Sequence, residues 1–282
     1  MNSCPVKARD VLMRGIRAFF YARDYTEVET PVRLKIPCME LHIDAEPSGD
    51  YFLRTSPEIF HKQLLSAGHQ RIFEIGKCFR SGERGPWHNP EYTMLEWYQA
   101  GADYMDILEE TKLLISSVWK DVSRDWKILS VSEAFLEFAG WDPAGNYDED
   151  RFDIDLVEKV EPAIKEMSGP VVLKDYPVEA AALSRRKSDY PLLAERWELY
   201  IDGVEMANAY SELTDPVEQR ARFEACAVQR KAMGKTVYPI DETFIRALEN
   251  MPPAGGVALG VDRLLMRILG ESSLDAVLPF RN

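Results

Sequence analysis

The strongest constraint on the fold of this chain is the dipeptide Asp202-Gly203, set inside the run Glu198-Leu199-Tyr200-Ile201-Asp202-Gly203-Val204-Glu205-Met206-Ala207-Asn208. Asp-Gly between alternating residues specifies a two-residue turn whose twist matches the flanking strands, so the segment reads as an antiparallel hairpin. A regular register places Tyr200 opposite Glu205 and Glu198 opposite Ala207. Glu198 and Glu205 then lie diagonally on one face of the ribbon. Two like charges so placed repel unless a cation lies between them, and a divalent metal bridging phosphates meets that demand. The same spacing also suits the solvated outer face of an edge hairpin.

Around this hairpin the pattern is α+β, with strands in hairpins rather than βαβ units. Val11, Leu12, Ile16, Phe19 and Phe20 fall at helical spacing over residues 6–23, behind a proline at position 5 where a first helical turn accepts one. Residues 25–31 alternate and close on Pro31, as an edge strand does. Strands follow at 51–55, 72–79 and 92–99, with a helix over 57–67. Helices are predicted over 105–119, 131–138 and 216–233, a strand at 171–173, and a strand-to-helix junction over 255–269. Between them, residues 140–169 are acidic, turn-rich and weakly periodic, as in an insertion.

With 46% hydrophobic residues among 282, the chain can bury a large core without disulfides or metals. Cys4, Cys38, Cys78 and Cys226 are scattered, with no paired spacing, which fits free thiols in a reducing cytoplasm. No window approaches the roughly 18 apolar residues of a membrane span, so a soluble protein is expected. The net charge of −13 argues against general nucleic-acid binding, because such a surface repels a phosphate backbone.

Two further segments concentrate polar function. In the loop 79–92, Arg80, His88, Asn89 and Tyr92 together suit a phosphate, a sugar and a stacked base. A lone arginine after a strand is ordinarily a surface residue; its company here sets it apart. In 251–263, small residues let a ligand approach the backbone, and Arg263 stands near a helix N-terminus, where anions are favoured. Those glycines serve equally well for close packing of strand on helix.

Taken in order, these segments resemble the three motifs of class II aminoacyl-tRNA synthetases, over almost the entire chain. Motif 1 is the opening helix and the strand ending at Pro31, motif 2 runs from Phe79-Arg80 through Glu96, and motif 3 from Gly255 through Arg263. Thr55-Ser56-Pro57-Glu58, His88-Asn89-Pro90-Glu91-Tyr92-Thr93-Met94-Leu95-Glu96 and Asn208-Ala209-Tyr210-Ser211-Glu212-Leu213 are similar to the lysyl-tRNA synthetase branch. The resemblance implies a single catalytic domain over 1–282, an antiparallel sheet flanked by helices, and a homodimer built through motif 1. It implies ATP as co-substrate, with Arg80 on the α-phosphate, Tyr92 and Arg263 around the adenine, and His88, Asn89, Leu199 and Gly260 along the nucleotide. Glu198 and Glu205 would ligate Mg²⁺, and Arg80, Glu198, Glu205 and Arg263 would carry catalysis. Ser56, Glu58, Glu96, Tyr98, Glu205, Asn208, Glu212 and Ala258 would form the amino-acid pocket, whose carboxylates suit a substrate with two ammonium groups.

The departures point within the branch. The chain begins almost at the motif 1 helix, with no anticodon-binding barrel ahead of it, like the truncated paralogues that attach β-lysine to a lysine side chain of translation elongation factor P. Trp87 replaces the usual Arg before His-Asn, and Ala258 a usual Gly; its methyl narrows the pocket floor, a change worth about 1–3 kcal/mol of discrimination. Gly82 stands where a Glu is usual, so that carboxylate's role either falls to Glu83 or is missing, while Ser211 is the residue of the tRNA enzymes. The expected activity is therefore ATP-dependent activation of lysine or (R)-β-lysine and transfer to elongation factor P. A minimal tRNA-charging enzyme and a non-catalytic binding module are the competing readings.

Overall fold

The computed structural model describes residues 4–181 and 183–281. They divide into two compact units, the first made of Met1–Gly101, Thr214–Pro253 and Gly260–Asn282, the second of Ala102–Leu213 and Ala254–Leu259.

In the first unit the Pro5–Tyr21 helix starts on its proline and buries Leu12, Ile16, Phe19 and Phe20, while Val11, also at helical spacing, is on the exposed side. Phe20 stacks on Phe73 at 4.6 Å between ring centroids and leans on Trp97 at 5.3 Å. Aromatic faces of this size dominate the energy of a core. Phe73 and Trp97 come from the strands Arg71–Phe79 and Glu91–Ala100, which pair antiparallel in register from Arg71 with Gln99 to Phe79 with Glu91. The expected 25–31 strand is shorter: only Thr26–Glu27 pairs, parallel to Arg71–Phe79, and Thr30 turns inward to donate to Glu74 at 2.8 Å. The Pro216–Ala232 helix is capped by Asp215. The Glu242–Leu248 helix, capped by Asp241, has no counterpart in the sequence reading, because seven residues carry too little periodicity.

In the second unit, Ala254–Gly260, Val204–Ser211, Leu193–Ile201 and Pro170–Pro177 form a continuous antiparallel ladder, and Lys127–Ser130 adds a parallel edge. Each unit thus adds one parallel pair to the antiparallel ladder expected, which makes the sheet structure mixed. Capping boxes open both flanking helices, Asp103 with Asp106 before Tyr104–Val118 and Ser130 with Glu133 before Val131–Phe138.

The stretch 140–169, expected to be turn-rich, is largely helical: Glu149–Asp155, a π-turn at Leu156–Val160, and Glu161–Glu166. Its Phe152 stacks on Phe135 at 4.8 Å, with Val160 and Ile164 buried beside it. The π-turn shifts the helical phase, which is why no single 3.6-residue period runs through this segment.

Gly255 lies where a Cβ would sit 2.6 Å from Ile107 Cγ1 and 2.8 Å from the Asp103 carbonyl oxygen. Close packing of strand on helix therefore accounts for this glycine. Gly255→Ala is expected to destabilise by about 1–3 kcal/mol through overpacking, read as a lower urea midpoint at unchanged m-value.

Candidate active site

Motif 2 occupies the loop joining the two long strands of the first unit. Arg80, half-buried at its base, packs its guanidinium over the Tyr92 ring at 5.3 Å, a cation–π contact. The Tyr92 hydroxyl donates to the Thr55 carbonyl at 2.8 Å, and burial pushes this phenol up, so it stays a neutral donor. Gly82 has φ +76°, a left-handed backbone that a Glu would adopt only with strain. The neighbouring carboxylate of Glu83 lies 3.8 Å from Arg80.

Arg263, near the start of the Val261–Ile268 helix, reaches this loop. Its Nε donates to the Trp87 carbonyl at 3.1 Å and its Nη2 lies 2.8 Å from His88 Nε2. Asp262 anchors the turn, accepting from the Thr93 amide at 2.7 Å and pairing with Arg9 of the first helix. Arg281, which carries no motif signal so close to the chain end, also holds the loop, donating to the carbonyls of Gly85 and His88 and approaching Asn89 Oδ1 at 3.4 Å. With Arg84 and Trp87 it lines a cleft of about 730 Å³. Three predicted residues therefore share this loop region with Arg263: Arg80, His88 and Asn89.

Below it lies a buried polar cluster. Ser56 donates to Glu96 Oε1 at 2.7 Å and Tyr98 to Glu96 Oε2 at 2.9 Å, so three of the predicted amino-acid residues are bonded together. Glu58 pairs with Lys62 at 2.7 Å; burial pushes its carboxyl up, against the pull of Lys62. Sequence reading missed three partners of this group. His61 Nε2 lies 3.0 Å from Glu74 and its Nδ1 3.7 Å from Glu96, and Arg54 pairs with Glu74 at 2.6 Å. The signal was present in the buried helical phase of His61 and Lys62, which share a face with Ile59 and Leu65.

In the second unit the hairpin forms as predicted, with Asp202 and Gly203 both at positive φ. Tyr200 faces Glu205, but a bulge between Glu205 and Ala207 puts Asn208, rather than Ala207, opposite Glu198. The extra residue reverses the alternation of the second strand, so Asn208 joins Glu198 and Glu205 on one face. Ala258 pairs with Asn208 from the next strand, completing a row Glu198, Asn208, Ala258.

Glu198 is only 8% exposed and accepts from Tyr176 and Tyr200, each at 2.7 Å, and from Arg196. Burial, then the Glu198 charge, pushes both phenols up, which keeps them donors. Two carboxylates on one face suit Mg²⁺, which takes one or two such ligands and completes its shell with phosphate oxygens and water. Among the described residues no group of three or more His, Cys, Asp and Glu side chains forms a self-contained metal cage. Leu199 is fully buried with its side chain on the face opposite Glu198, so it brings no side chain to this surface. Gly260 precedes the Arg263 helix, where a Cβ would meet the Arg263 side chain at an ordinary 3.6 Å. Glu212 is buried and its backbone is bonded to Ala254, while the Ser211 hydroxyl accepts from the Tyr104 amide at 2.9 Å, tying down a helix start.

The chain matches the family model described as tRNA synthetases class II (D, K and N) over residues 2–282. It is 36% identical to the elongation factor P-(R)-beta-lysine ligase of Vibrio cholerae, covering 98% of this chain and 94% of that protein. The same ligase of Proteus mirabilis is also 36% identical, over 95% of this chain and 92% of that protein. The lysine-tRNA ligase of Magnetococcus marinus is 34% identical over 97% of this chain, which spans 63% of that protein's length. With the family model spanning nearly every residue, this chain belongs to the class II tRNA synthetases of the D, K and N group.

Proposed function

We propose that this chain activates lysine or (R)-β-lysine with ATP and transfers the acyl group to a lysine side chain of translation elongation factor P. As a member of its family it is an ATP-dependent ligase that works through an aminoacyl-adenylate. The substrate carboxylate attacks the α-phosphorus in line, pyrophosphate leaves, and the acceptor amine then attacks the acyl carbonyl to release AMP. No protein nucleophile is needed; positioning and charge neutralisation carry the first step.

Arg80, steadied by Tyr92 and Glu83, takes the α-phosphate, and Arg263 with His88 and Asn89 holds the nucleotide. Glu198 and Glu205 hold Mg²⁺, which when bound neutralises phosphate charge. For Glu198 this requires that Arg196 give way at Oε1. The carboxylates of Glu58 and Glu96 answer the substrate's ammonium groups.

The observation that carries the choice of substrate is the row Glu198, Asn208, Ala258. It sets the Ala258 methyl beside Asn208, where it trims the space for an α-substituent. The near full-length likeness to the elongation factor P ligases supports a protein acceptor over tRNA, as does the charge of −13. Exposed Val6, Val11 and Tyr21 on the first helix support a homodimer through motif 1. A cytoplasmic location suits four free cysteines and a translation-factor acceptor, and among the described residues no helix is long and apolar enough to cross a membrane.

Pyrophosphate exchange with α-lysine and both β-lysine enantiomers, followed by transfer to purified elongation factor P or tRNA, tests this reading. The expected result is exchange with a lysine isomer and label on the protein; charging of tRNA alone would favour the tRNA enzyme, and no exchange a binding module. Ala258→Gly is expected to improve kcat/KM for α-lysine relative to β-lysine by about 10-fold, within the reach of one methyl group. An unchanged ratio removes Ala258 from the pocket.

A further inference from the structure

His61 is fully buried on the Glu58–Ser66 helix between two carboxylates from neighbouring strands, 3.0 Å from Glu74 and 3.7 Å from Glu96. Its ring packs edge-on against Tyr98 at 5.1 Å. The charged groups facing this point are Glu74, Glu96 and Arg54, with Glu58 and Lys62 on its own helix; from the Glu242–Leu248 helix, which packs on the same helix, the buried side chains are the apolar Phe244, Ile245 and Leu248. Counted in their ionised forms, three carboxylates thus meet two cations, Arg54 and Lys62. In a medium of low dielectric one uncompensated negative charge is costly, and a protonated imidazole removes it. Burial alone would push His61 down, but the hydrogen bond to Glu74 and the Glu96 carboxylate reverse this and raise it.

An ammonium group bound at Glu96 and Glu58 brings a further positive charge into a cluster that the imidazolium had already balanced. We propose that His61 is the exchangeable counterion of the amino-acid site: it holds a proton while the site is empty and releases it to solvent when the substrate ammonium arrives. The proposal rests on the assignment of Ser56, Glu58, Glu96 and Tyr98 to the amino-acid pocket. His61 touches no reacting atom; it is a positioning residue that acts through Glu96. It links lysine affinity to pH, since binding competes with one proton.

Lysine binding to the full chain is measured by calorimetry in buffers of different ionisation enthalpy between pH 6 and 8.5. The wild type is expected to release up to about one proton per lysine, with affinity rising by as much as tenfold per pH unit where release is complete. His61→Met is expected to abolish the release and flatten the pH profile. Imidazole NMR shifts keep the test independent of that variant's folding, because the protein has only four histidines to assign. The His61 ring is expected to be imidazolium without lysine and neutral with it. Binding without proton release, release lost in Glu58→Gln but kept in His61→Met, or an unchanged His61 resonance each overturns the proposal alone. No binding of lysine or either β-lysine overturns the pocket assignment and this proposal with it.

Discussion

Glu198→Gln is expected to lower lysine-dependent pyrophosphate exchange by about 10²–10³-fold, the scale for losing one preorganised electrostatic contact in a phosphoryl site. The substitution keeps the shape and one acceptor oxygen for Tyr176 and Tyr200, so the core around both rings stays packed. What it removes is the charge that pairs with Arg196 and would bind Mg²⁺. Exchange rates measured against Mg²⁺ concentration, with a thermal melt of the same sample, separate the two consequences. A lost rate at an unchanged melting temperature supports the metal role. A wild-type rate and Mg²⁺ dependence would sink it and leave Glu198 as a structural partner of the two tyrosines.

The second large effect is on stability. Arg54→Met is expected to destabilise the chain by about 3 kcal/mol, the lower end for breaking a buried ion pair. Arg54 is 1% exposed and ties three segments together, pairing with Glu74 at 2.6 Å and donating to Thr30 Oγ1 at 2.7 Å and the Lys77 carbonyl at 2.9 Å. Its loss strands the Glu74 carboxylate, which His61 and Thr30 continue to hold, and for that reason the full penalty is not reached. Burial pushes Glu74 up, but its hydrogen bond from His61 and the charges of His61 and Arg54 outweigh this and hold it below the usual carboxylate range. Its contribution is therefore present above the unfolded pKa and lost as pH falls through the lower folded value. Denaturant unfolding at neutral pH checks the single variant, and the Arg54→Met, Glu74→Leu pair is expected to recover much of the loss. Equal destabilisation in single and double variants would show that packing, not the charge pair, sets the cost.

Much of this architecture was legible in the residues. The helix over 131–138 lies where its periodicity predicts, the first long strand at motif 2 starts one residue earlier than expected, and the second runs one residue further at each end. Positive φ at Asp202 and Gly203 follows from the turn chemistry of that dipeptide. Arg80, His88, Asn89 and Arg263 could be nominated as candidates because motif residues cluster in short segments. By contrast, the helical stretch around Phe152 was hidden by a π-turn that breaks its period, and the Glu242–Leu248 helix by its length.

Local sequence determined which segments are helices, strands and turns, and which polar residues were available, because periodicity and turn preference act over a few neighbours. Tertiary structure alone decided the facing of Glu198. The bulge beside Met206 depends on how two strands accommodate each other, and it replaced Ala207 with Asn208 across from that carboxylate. It also decided that Arg54, His61, Glu74 and Glu96 share one buried cluster. These residues are distant in sequence, and nothing in their spacing encodes the register from Arg71 with Gln99 to Phe79 with Glu91 that sets Glu74 opposite Glu96. Only the packed fold removes the water that would otherwise screen their charges, and with it supplies the electrostatics of the site.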